Sequence, residues 1–282
     1  MRVLFLHEKW SDVDPKKCLT NNFHNLDGSL KHSGLKGIEQ KSFHFDQCLI
    51  ENGKHIDEVL PKVYEACKPD VVIVSLVGKY HGNPSEKSFR FLKEKGCKIC
   101  VQWPDVGVDW GFPQICQLNS SLCDLHIGWD RAESRFHSET KFPENFMQLF
   151  VPQDPKLYFP RETQSIPCSF IGSINTPERQ GCLQYALPQD VPITIRGGKE
   201  NLTPEQYANL VGISKISLGF PWCRGSFDQA KGRIYEVFAS KGMLLERKNK
   251  ATSQLFQPGV DYVEFEDAPD MVEKIKYYLQ NE

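Results

Sequence analysis

The chain has 282 residues, a formal net charge of −2 at pH 7, 40% hydrophobic residues and 25% charged residues. This length allows one large domain or two ordinary ones, and this composition is typical of a soluble globular protein. A net charge so close to zero gives no support for nonspecific binding to an anionic membrane or to nucleic acid, which we do not expect as a partner.

The sequence predicts neither a signal peptide nor a membrane span. The apolar run at residues 3–6 is shorter than the hydrophobic region of a signal peptide, and no segment approaches the ~20 apolar residues that cross a bilayer. We therefore expect a cytoplasmic protein without a transmembrane segment.

Cysteine is frequent, with ten residues in the chain. Cys97 and Cys100 have the spacing of a zinc or redox pair, but they lie in an apolar run typical of a strand, where alternation places them on opposite faces. No second such pair and no histidine pair accompanies them. We expect thiols of the core here, and no metal site.

The first half of the sequence alternates between predicted strands and helices. Mainly apolar strands are predicted at residues 2–6, 71–77, 98–103 and 125–129, and helices at 56–67, 89–95 and 112–121. Residues 11–45 are polar, and we predict a long loop or irregular excursion there. The alternation indicates a doubly wound parallel sheet.

The second half repeats this pattern behind a proline-rich connector at residues 151–160. Strands are predicted at residues 168–171, 191–195, 213–220, 243–245 and 262–265. Thr203 and Pro204 predict the start of one helix, and an amphipathic last helix follows Asp267. We therefore predict two domains, 1–155 and 156–282, facing a cleft, with the last helix also a candidate to pack back on the first domain. Ligands of such sheets bind outside the carboxyl ends of the strands.

The stretch from residue 231 to residue 245 is predicted to be a helix that ends at Gly242 and leads into a buried strand. Lys231 and Arg233 place two cations at its start, although a helix N-terminus favours negative charge. An anion docked at the free N–H groups would explain them, and Glu236 could accept hydrogen bonds from sugar hydroxyls. The alternative is a surface helix with solvated charges.

Common catalytic motifs are absent: the sequence has no phosphate-binding GxxxxGK[ST] loop, no GxGxxG fingerprint, no Gly-x-Ser-x-Gly elbow and no cluster of metal ligands. What remains is a set of residues at strand ends in the second half. Glycines there permit close backbone approach, cations match phosphates, and a carboxylate matches hydroxyls. The set comprises Gly172, Ser173, Arg196, Gly197, Lys231, Arg233 and Glu236.

Several motifs of the second half occur in an order that resembles one family. They are Phe170-Ile171-Gly172-Ser173, Arg179, Tyr207, Lys215-Ile216-Ser217-Leu218, Arg233-Ile234-Tyr235-Glu236, Gly242, Phe256-Gln257-Pro258-Gly259, Asp261-Tyr262-Val263 and Tyr277-Tyr278-Leu279. Residues 150–282 are thereby similar to the spore-maturation (CgeB-like) glycosyltransferases, of the group 1 type within the GT-B superfamily. The first half is similar to this family only in architecture. Its nearest feature to the family pattern is Asp105, which follows a predicted strand that ends at Trp103.

The resemblance implies a GT-B fold, in which two Rossmann-like domains bind the acceptor and the nucleotide-sugar donor, the donor on the C-terminal one. Many such enzymes carry two glutamates separated by seven residues, one near the transferred sugar and one on the donor ribose. Glu236 fits the second position, whereas Asp228, one methylene shorter, stands in the first. Gly172 and Ser173 would approach the diphosphate, and Arg233 with Lys231 would neutralise it, without a catalytic metal.

The resulting hypothesis is a metal-independent hexosyltransferase that moves a sugar from a UDP- or GDP-sugar to a saccharide, a protein or a small molecule. An inverting enzyme also needs a general base on the acceptor side, and the candidates are Asp105, His81 and His7. Two alternatives stay open. One is a sugar-nucleotide epimerase of the same architecture, and the other is a non-catalytic module that binds the nucleotide.

Overall fold

A computed structural model of the protein describes residues 1–107, 111–129, 142–198, 202–223 and 227–281. The chain forms two compact units, Met1–Asp154 and Pro155–Glu282, each with a sheet and a hydrophobic core of its own. In the described part of the chain, no helix is both long enough and apolar enough to cross a membrane.

The first unit is built on a six-stranded sheet in which every strand pairs parallel to its neighbours, in the order β2-β1-β3-β4-β5-β6. The strands are β1 (Arg2–His7), β2 (Glu39–His44), β3 (Val71–Ser75), β4 (Lys98–Trp103), β5 (Leu125–Gly128) and β6 (Phe146–Gln148). The helices are α1 (Ser29–His32), α2 (Phe45–Asn52), α3 (Ile56–Cys67), α4 (Glu86–Glu94) and α5 (Gly111–Gln117). The strand order reverses between β1 and β3, which makes their carboxyl ends the expected ligand position of this sheet.

The segment predicted to be a loop, residues 11–45, contains more structure than expected. It includes a π-helix at Phe23–Gly28, the short helix α1 and the whole of strand β2. The prediction was wrong for β2 because this strand lies at the edge of the sheet and its residues are half-buried or exposed, so they lack an apolar run. A π-helix is rare and usually about one turn long, which is too short for a sequence pattern to identify.

The second unit contains a five-stranded parallel sheet in the order β13-β12-β9-β7-β8 and an antiparallel pair, β10 with β11. The strands are β7 (Ile166–Ile171), β8 (Ile193–Arg196), β9 (Ser214–Gly219), β10 (Trp222–Cys223), β11 (Phe227–Asp228), β12 (Met243–Arg247) and β13 (Val263–Phe265). The helices are α6 (Pro177–Ala186), α7 (Pro204–Gly212), α8 (Gly232–Ala239), α9 (Lys250–Ser253) and α10 (Ala268–Gln280). This sheet reverses its order between β7 and β9. The prediction of two doubly wound parallel sheets is confirmed.

Two helix starts in the second unit agree with their sequence signals. The Thr203 side chain accepts a hydrogen bond from the backbone N–H of Gln206, and Asp267 caps α10 in the same way. The apolar face of α10, with Met271 and Ile275, lies in the core of the second unit. These local signals fix where both helices begin.

The predicted end of helix α8 needs a correction. The helix ends at Ala239, and the residue in the left-handed conformation is Lys241, with φ of 55°, rather than Gly242. A Cβ atom at Gly242 would lie 3.3 Å from a methyl carbon of Val237. The glycine therefore serves close packing between the helix and strand β12, not a positive φ.

The two cysteines with the zinc or redox spacing are core thiols, as predicted. Cys97 is buried and Cys100 is half-buried, and both are free. Burial raises the pKa of each thiol, which keeps it protonated and poorly reactive.

Candidate functional site

Two arginines join the strand ends on either side of the reversal point in the second unit. Arg233 donates from Nη2 to the carbonyl of Ile171, the last residue of β7, and from Nη1 to the carbonyl of Leu218 in β9 at 3.3 Å. Arg179 donates to the carbonyls of Ser173 at 2.9 Å and Phe220 at 3.2 Å, just beyond the same two strands. The two guanidinium groups therefore fix the edge at which ligands of such sheets bind.

Glu236 shares this edge with Arg233 and Tyr207. The Tyr207 hydroxyl donates to Glu236 Oε2 at 2.6 Å, and Arg233 Nη2 lies 3.2 Å from the same hydroxyl oxygen. Burial raises the pKa of Glu236, while the charge of Arg233 and the Tyr207 hydrogen bond lower it. Within the described residues only Tyr207 donates to this carboxylate. Its Oε1 oxygen, which faces Gly232, can accept a hydrogen bond from a ligand.

The N-terminus of helix α8 lacks the side-chain cap that the other described α-helices of the second unit have. Its N-cap residue, Lys231, makes no capping hydrogen bond and instead donates from Nζ to Gln229 Oε1 at 2.7 Å. The capping residues of the other four helices of this unit are Thr176, Thr203, Asn249 and Asp267. The first-turn N–H groups of α8 thus keep their capacity to bind an anion.

The glycines predicted at the ends of β7 and β8 meet each other in the structure. The Gly172 N–H donates to the carbonyl of Arg196 at 2.8 Å. Gly197 has φ of 91°, and a Cβ atom there would lie only 2.9 Å from the Gly172 nitrogen. Ser173 and Arg196 are exposed at the same edge. The sequence-predicted residues 172, 173, 196 and 197 are therefore brought together by the pairing of β7 with β8.

Asp228, the aspartate in the first position of the carboxylate pair, lies in the short strand β11 and is half-buried. Burial raises the pKa of its carboxyl group, and the nearby charges of Arg247 and Lys231 act in the opposite direction. Asp228 is therefore close enough to Lys231, at the start of α8, for their charges to interact.

Sequence reasoning missed one buried carboxylate of the second unit. Glu246 is 1% exposed near the end of β12, and burial raises its pKa to about 7. It lies opposite Gly219 in the β9–β12 register, where a Cβ atom would come within 2.9 Å of Glu246 Oε1. The available signal was a charged residue directly after the apolar run at residues 243–245.

The candidates for a catalytic base lie in different surroundings in the first unit. Asp105 is half-buried, two residues beyond the end of β4. His81 is exposed in the loop before α4, where its backbone carbonyl accepts a hydrogen bond from His55 Nε2 at 3.0 Å. His7 is fully buried at the end of β1.

A buried polar network that the sequence did not predict lies at the reversal point of the first sheet. Glu8 Oε1 accepts hydrogen bonds from Thr20 Oγ1 at 2.7 Å and Asn22 Nδ2 at 2.9 Å. Gln102 Nε2 donates to Asn22 Oδ1 at 3.0 Å and to Ser75 Oγ at 2.7 Å. Glu8 Oε2 is buried and has no partner among the described residues. This oxygen can accept a hydrogen bond from a ligand hydroxyl.

The second half of the chain matches a known protein family. Residues 178–282 match the family model described as glycosyl transferase-like. No curated protein matches the sequence. The predicted resemblance of the C-terminal half is therefore confirmed.

Solved structures share the fold of the whole chain. HepE of Anabaena, in complex with UDP and glucose, is 10% identical, with a TM-score of 0.58 over 100% of this chain and 90% of that one. A glycosyltransferase from Rickettsia africae is 11% identical, with a TM-score of 0.57 over 99% and 88% of the two chains. The UDP-GlcNAc 2-epimerase from Neisseria meningitidis, bound to UDP-GlcNAc, is 12% identical, with a TM-score of 0.55 over 100% and 92%. With the two parallel sheets, these matches confirm the GT-B fold.

Proposed function

We propose that this protein is a metal-independent glycosyltransferase that moves a hexosyl group from a nucleoside-diphosphate sugar to an acceptor. The observation that carries the proposal is the pairing of an uncapped helix N-terminus with an available carboxylate oxygen one turn later, at Glu236. A nucleoside diphosphate carries both kinds of partner, an anion and the hydroxyls of its ribose. The family match over residues 178–282 supports the same reaction class.

In this proposal the donor binds to the second unit, residues 156–282. The first-turn N–H groups of α8 and the Lys231 ammonium receive the diphosphate, and Glu236 Oε1 accepts a hydrogen bond from a ribose hydroxyl. Gly172, Ser173 and the 196–197 turn supply backbone close to the phosphates. A UDP- or GDP-sugar is the proposed donor.

Arg233 has a less direct role in phosphate binding than the sequence suggested. Its guanidinium donates to the Ile171 and Leu218 carbonyls and to the Tyr207 hydroxyl oxygen. We assign it the role of holding the two strand ends and Glu236 while its charge raises the local positive potential. Negative charge that develops on the departing nucleoside diphosphate is stabilised by such fixed groups.

The acceptor is proposed to bind to the first unit, residues 1–155, and to be a saccharide, a protein or a small molecule. A base on this unit would take the proton of the acceptor nucleophile, and Asp105 is our first candidate because it follows the carboxyl end of β4. His81 is the second candidate. Asp228 is proposed to contact the transferred sugar, since its carboxylate is half-buried in the second unit.

The test measures nucleotide binding with a matched pair of glutamate variants. Melting temperatures are compared for wild type, Glu236→Gln and Glu273→Gln, an exposed glutamate of α10, with UDP, GDP, ADP, CMP and their sugar conjugates. Binding stabilises the folded state by about 2.7 kcal/mol at a ligand concentration of 100 Kd. We expect one nucleotide to stabilise wild type and Glu273→Gln, and roughly tenfold weaker binding in Glu236→Gln, which loses a charge-assisted hydrogen bond.

Product analysis with the nucleotide sugar so identified separates the functions. Release of nucleoside diphosphate that depends on an added acceptor supports transfer. Conversion of the sugar without an acceptor would support the epimerase instead, and binding without either reaction would support a non-catalytic module. Absence of stabilisation by every nucleotide would contradict the proposed donor site.

A further inference from the structure

Two histidines and an aspartate converge in the first unit. His7 and His44 are the last residues of β1 and β2 and lie opposite each other in the register of these strands. Asp27 belongs to the π-helix Phe23–Gly28. One ligand atom from each of these three residues lies within 4.8 Å of the other two.

Each ring nitrogen of His7 faces an oxygen that acts as a hydrogen-bond acceptor, so the ring needs a proton or another cation on both sides. Its Nδ1 lies 2.6 Å from the carbonyl oxygen of Glu8, so Nδ1 carries a proton and donates it. Its Nε2 lies 3.1 Å from Asp27 Oδ2, which in the ionised carboxylate is also an acceptor. The ring is fully buried. A cation is therefore needed on the Nε2 side, either a second proton or a metal ion between the nitrogen and the carboxylate.

His44 completes the set from the neighbouring strand. The centroid of its ring lies 4.7 Å from that of His7, at an interplanar angle of 74°. Its Nδ1 atom is buried and has no hydrogen-bond partner among the described residues. A buried ring nitrogen without a partner loses solvation, and coordination to a metal ion would restore a bond to its lone pair.

The hydrogen bonds around His7 and Asp27 are of the kind that orients the ligands of a metal ion. Metal-binding histidines usually donate their other ring N–H to a carbonyl or carboxylate, as His7 does to Glu8. Ligating carboxylates are themselves hydrogen-bonded, and Ser42 Oγ donates to Asp27 Oδ1 at 2.7 Å. This bond leaves Oδ2 directed at His7. The ligand orientation is thus built by residues of β1 and β2.

We propose that His7, Asp27 and His44 bind a divalent first-row transition metal ion, for which Zn²⁺ is a suitable probe. Two imidazoles and one carboxylate form a donor set that such ions accept. Coordination bonds of about 2.0–2.2 Å require the donor atoms to approach to roughly 3.4 Å of one another. His44, which is half-buried, has the freedom to make this adjustment. The site ties together the ends of two adjacent strands and the π-helix.

The experiment uses the full chain after treatment with a chelator and measures binding of Co²⁺ and Zn²⁺. The variants are His44→Gln and Asp27→Asn, with His32→Gln as the matched control. His32 Nδ1 lies 2.8 Å from Asp154 Oδ1, which gives a second histidine–carboxylate pair in the same unit. Among the described residues, a second histidine joins such a pair only in the cluster of His7, Asp27 and His44.

Wild type and His32→Gln are expected to bind one Co²⁺ per chain with the visible absorption of a low-coordinate site, and Zn²⁺ is expected to raise their melting temperature. His44→Gln and Asp27→Asn should bind at least tenfold more weakly. Cys18 and Cys116 are exposed thiols, so the spectrum must also lack a sulfur-to-cobalt charge-transfer band. Ser42→Ala, which leaves all three ligands in place, should weaken binding by roughly tenfold and serves if the ligand variants fail to fold.

Equal metal affinity of wild type and His44→Gln would overturn the proposal. So would a wild-type protein that shows neither a cobalt spectrum nor a melting shift with Zn²⁺. In that case His7 and Asp27 form a hydrogen-bonded pair that holds one proton between them, without a metal. The inference is independent of the proposed transferase activity, because its readouts require neither nucleotide nor sugar.

Discussion

The Tyr207 hydroxyl donates a hydrogen bond of 2.6 Å to Glu236 Oε2, which links helix α7 to helix α8. This bond occupies one oxygen of a buried carboxylate and leaves the other available at the start of the proposed nucleotide site. Tyr207 is therefore a positioning residue. Arg233 Nη2 lies 3.2 Å from the same hydroxyl oxygen.

Tyr207→Phe is predicted to weaken both stability and nucleotide binding. The substitution removes the one described donor to a buried carboxylate, and an unsatisfied buried acceptor costs about 1–3 kcal/mol. Denaturant unfolding and nucleotide titration measure the two effects. Tyr277→Phe, on the exposed side of α10, is the control and should change neither. Unchanged affinity in Tyr207→Phe would contradict the positioning role.

Glu246 is predicted to make the stability of the second unit depend on pH. Burial raises its folded-state pKa to about 7 from an ordinary 4.5, so the folded state binds the proton more tightly than the unfolded state. The stabilisation that comes from this proton is fully present below pH 4.5 and is lost as the pH rises through 7. At pH 8 the ionised carboxylate therefore costs about 3 kcal/mol at most.

Glu246→Gln removes that cost, and its stability relative to wild type should rise between pH 5 and pH 8. Unfolding by urea at several pH values measures the difference. Glu273→Gln, at an exposed glutamate of the same unit, is the control for the loss of a carboxylate. A difference for Glu246→Gln that does not change with pH would show that Asn249 and Arg233 compensate the buried charge fully.

Most of the fold could be predicted because its central strands are mainly apolar and alternate with helices along the chain. Residues 98–103 were predicted as a strand and form β4, and Thr203 marked the start of α7. The edge strand β2 escaped prediction since it has polar residues on both faces. Register and strand order depend on contacts between distant segments, which a sequence pattern does not contain.

The candidate site could be predicted only where a side-chain type carries its own signal. Glycines and charges at strand ends indicated Gly172, Gly197 and Glu236, and the structure brings their segments to one edge of the sheet. The buried network of Glu8 was missed because its partners come from segments 12 to 80 positions apart in the chain. Such a network is visible only after β1, β3 and β4 are aligned.

The close approach of the turns after β7 and β8 predicts different costs for two adjacent glycines. Gly197 and Gly198 both have positive φ, 91° and 75°. Alanine at either position should therefore lower the free energy of unfolding by about 1–2 kcal/mol through backbone strain. A Cβ atom at Gly197 would also lie 2.9 Å from the Gly172 nitrogen, whereas at Gly198 the nearest atom of the described residues, apart from its chain neighbours, is 3.8 Å away.

Gly197→Ala should therefore be less stable than Gly198→Ala by a further 1–3 kcal/mol or so, and should bind nucleotide more weakly. Denaturant unfolding of the two variants and a nucleotide titration check this. Equal stabilities would mean that the turn moves away without cost. The close contact would then have no part in shaping the site.

The missing cap of helix α8 predicts that stability and nucleotide binding can be changed in opposite directions at one residue. Lys231 has the extended backbone conformation of an N-cap, with φ of −93° and ψ of 153°, but its side chain does not cap. Lys231→Asn supplies an oxygen that can bond to a first-turn N–H group and should add about 1 kcal/mol of stability. Lys231→Gln removes the same charge without being a good cap.

The comparison of these two variants separates charge from backbone availability. Both should bind nucleotide more weakly than wild type, because both lose the ammonium group. Lys231→Asn should be the more stable of the two and yet the weaker binder, since its side chain competes with the phosphate for the same N–H groups. Calorimetric titration and urea unfolding measure both quantities. If the two variants bind equally, the phosphate contacts do not include the α8 N-terminus, and Lys231 acts through its charge alone.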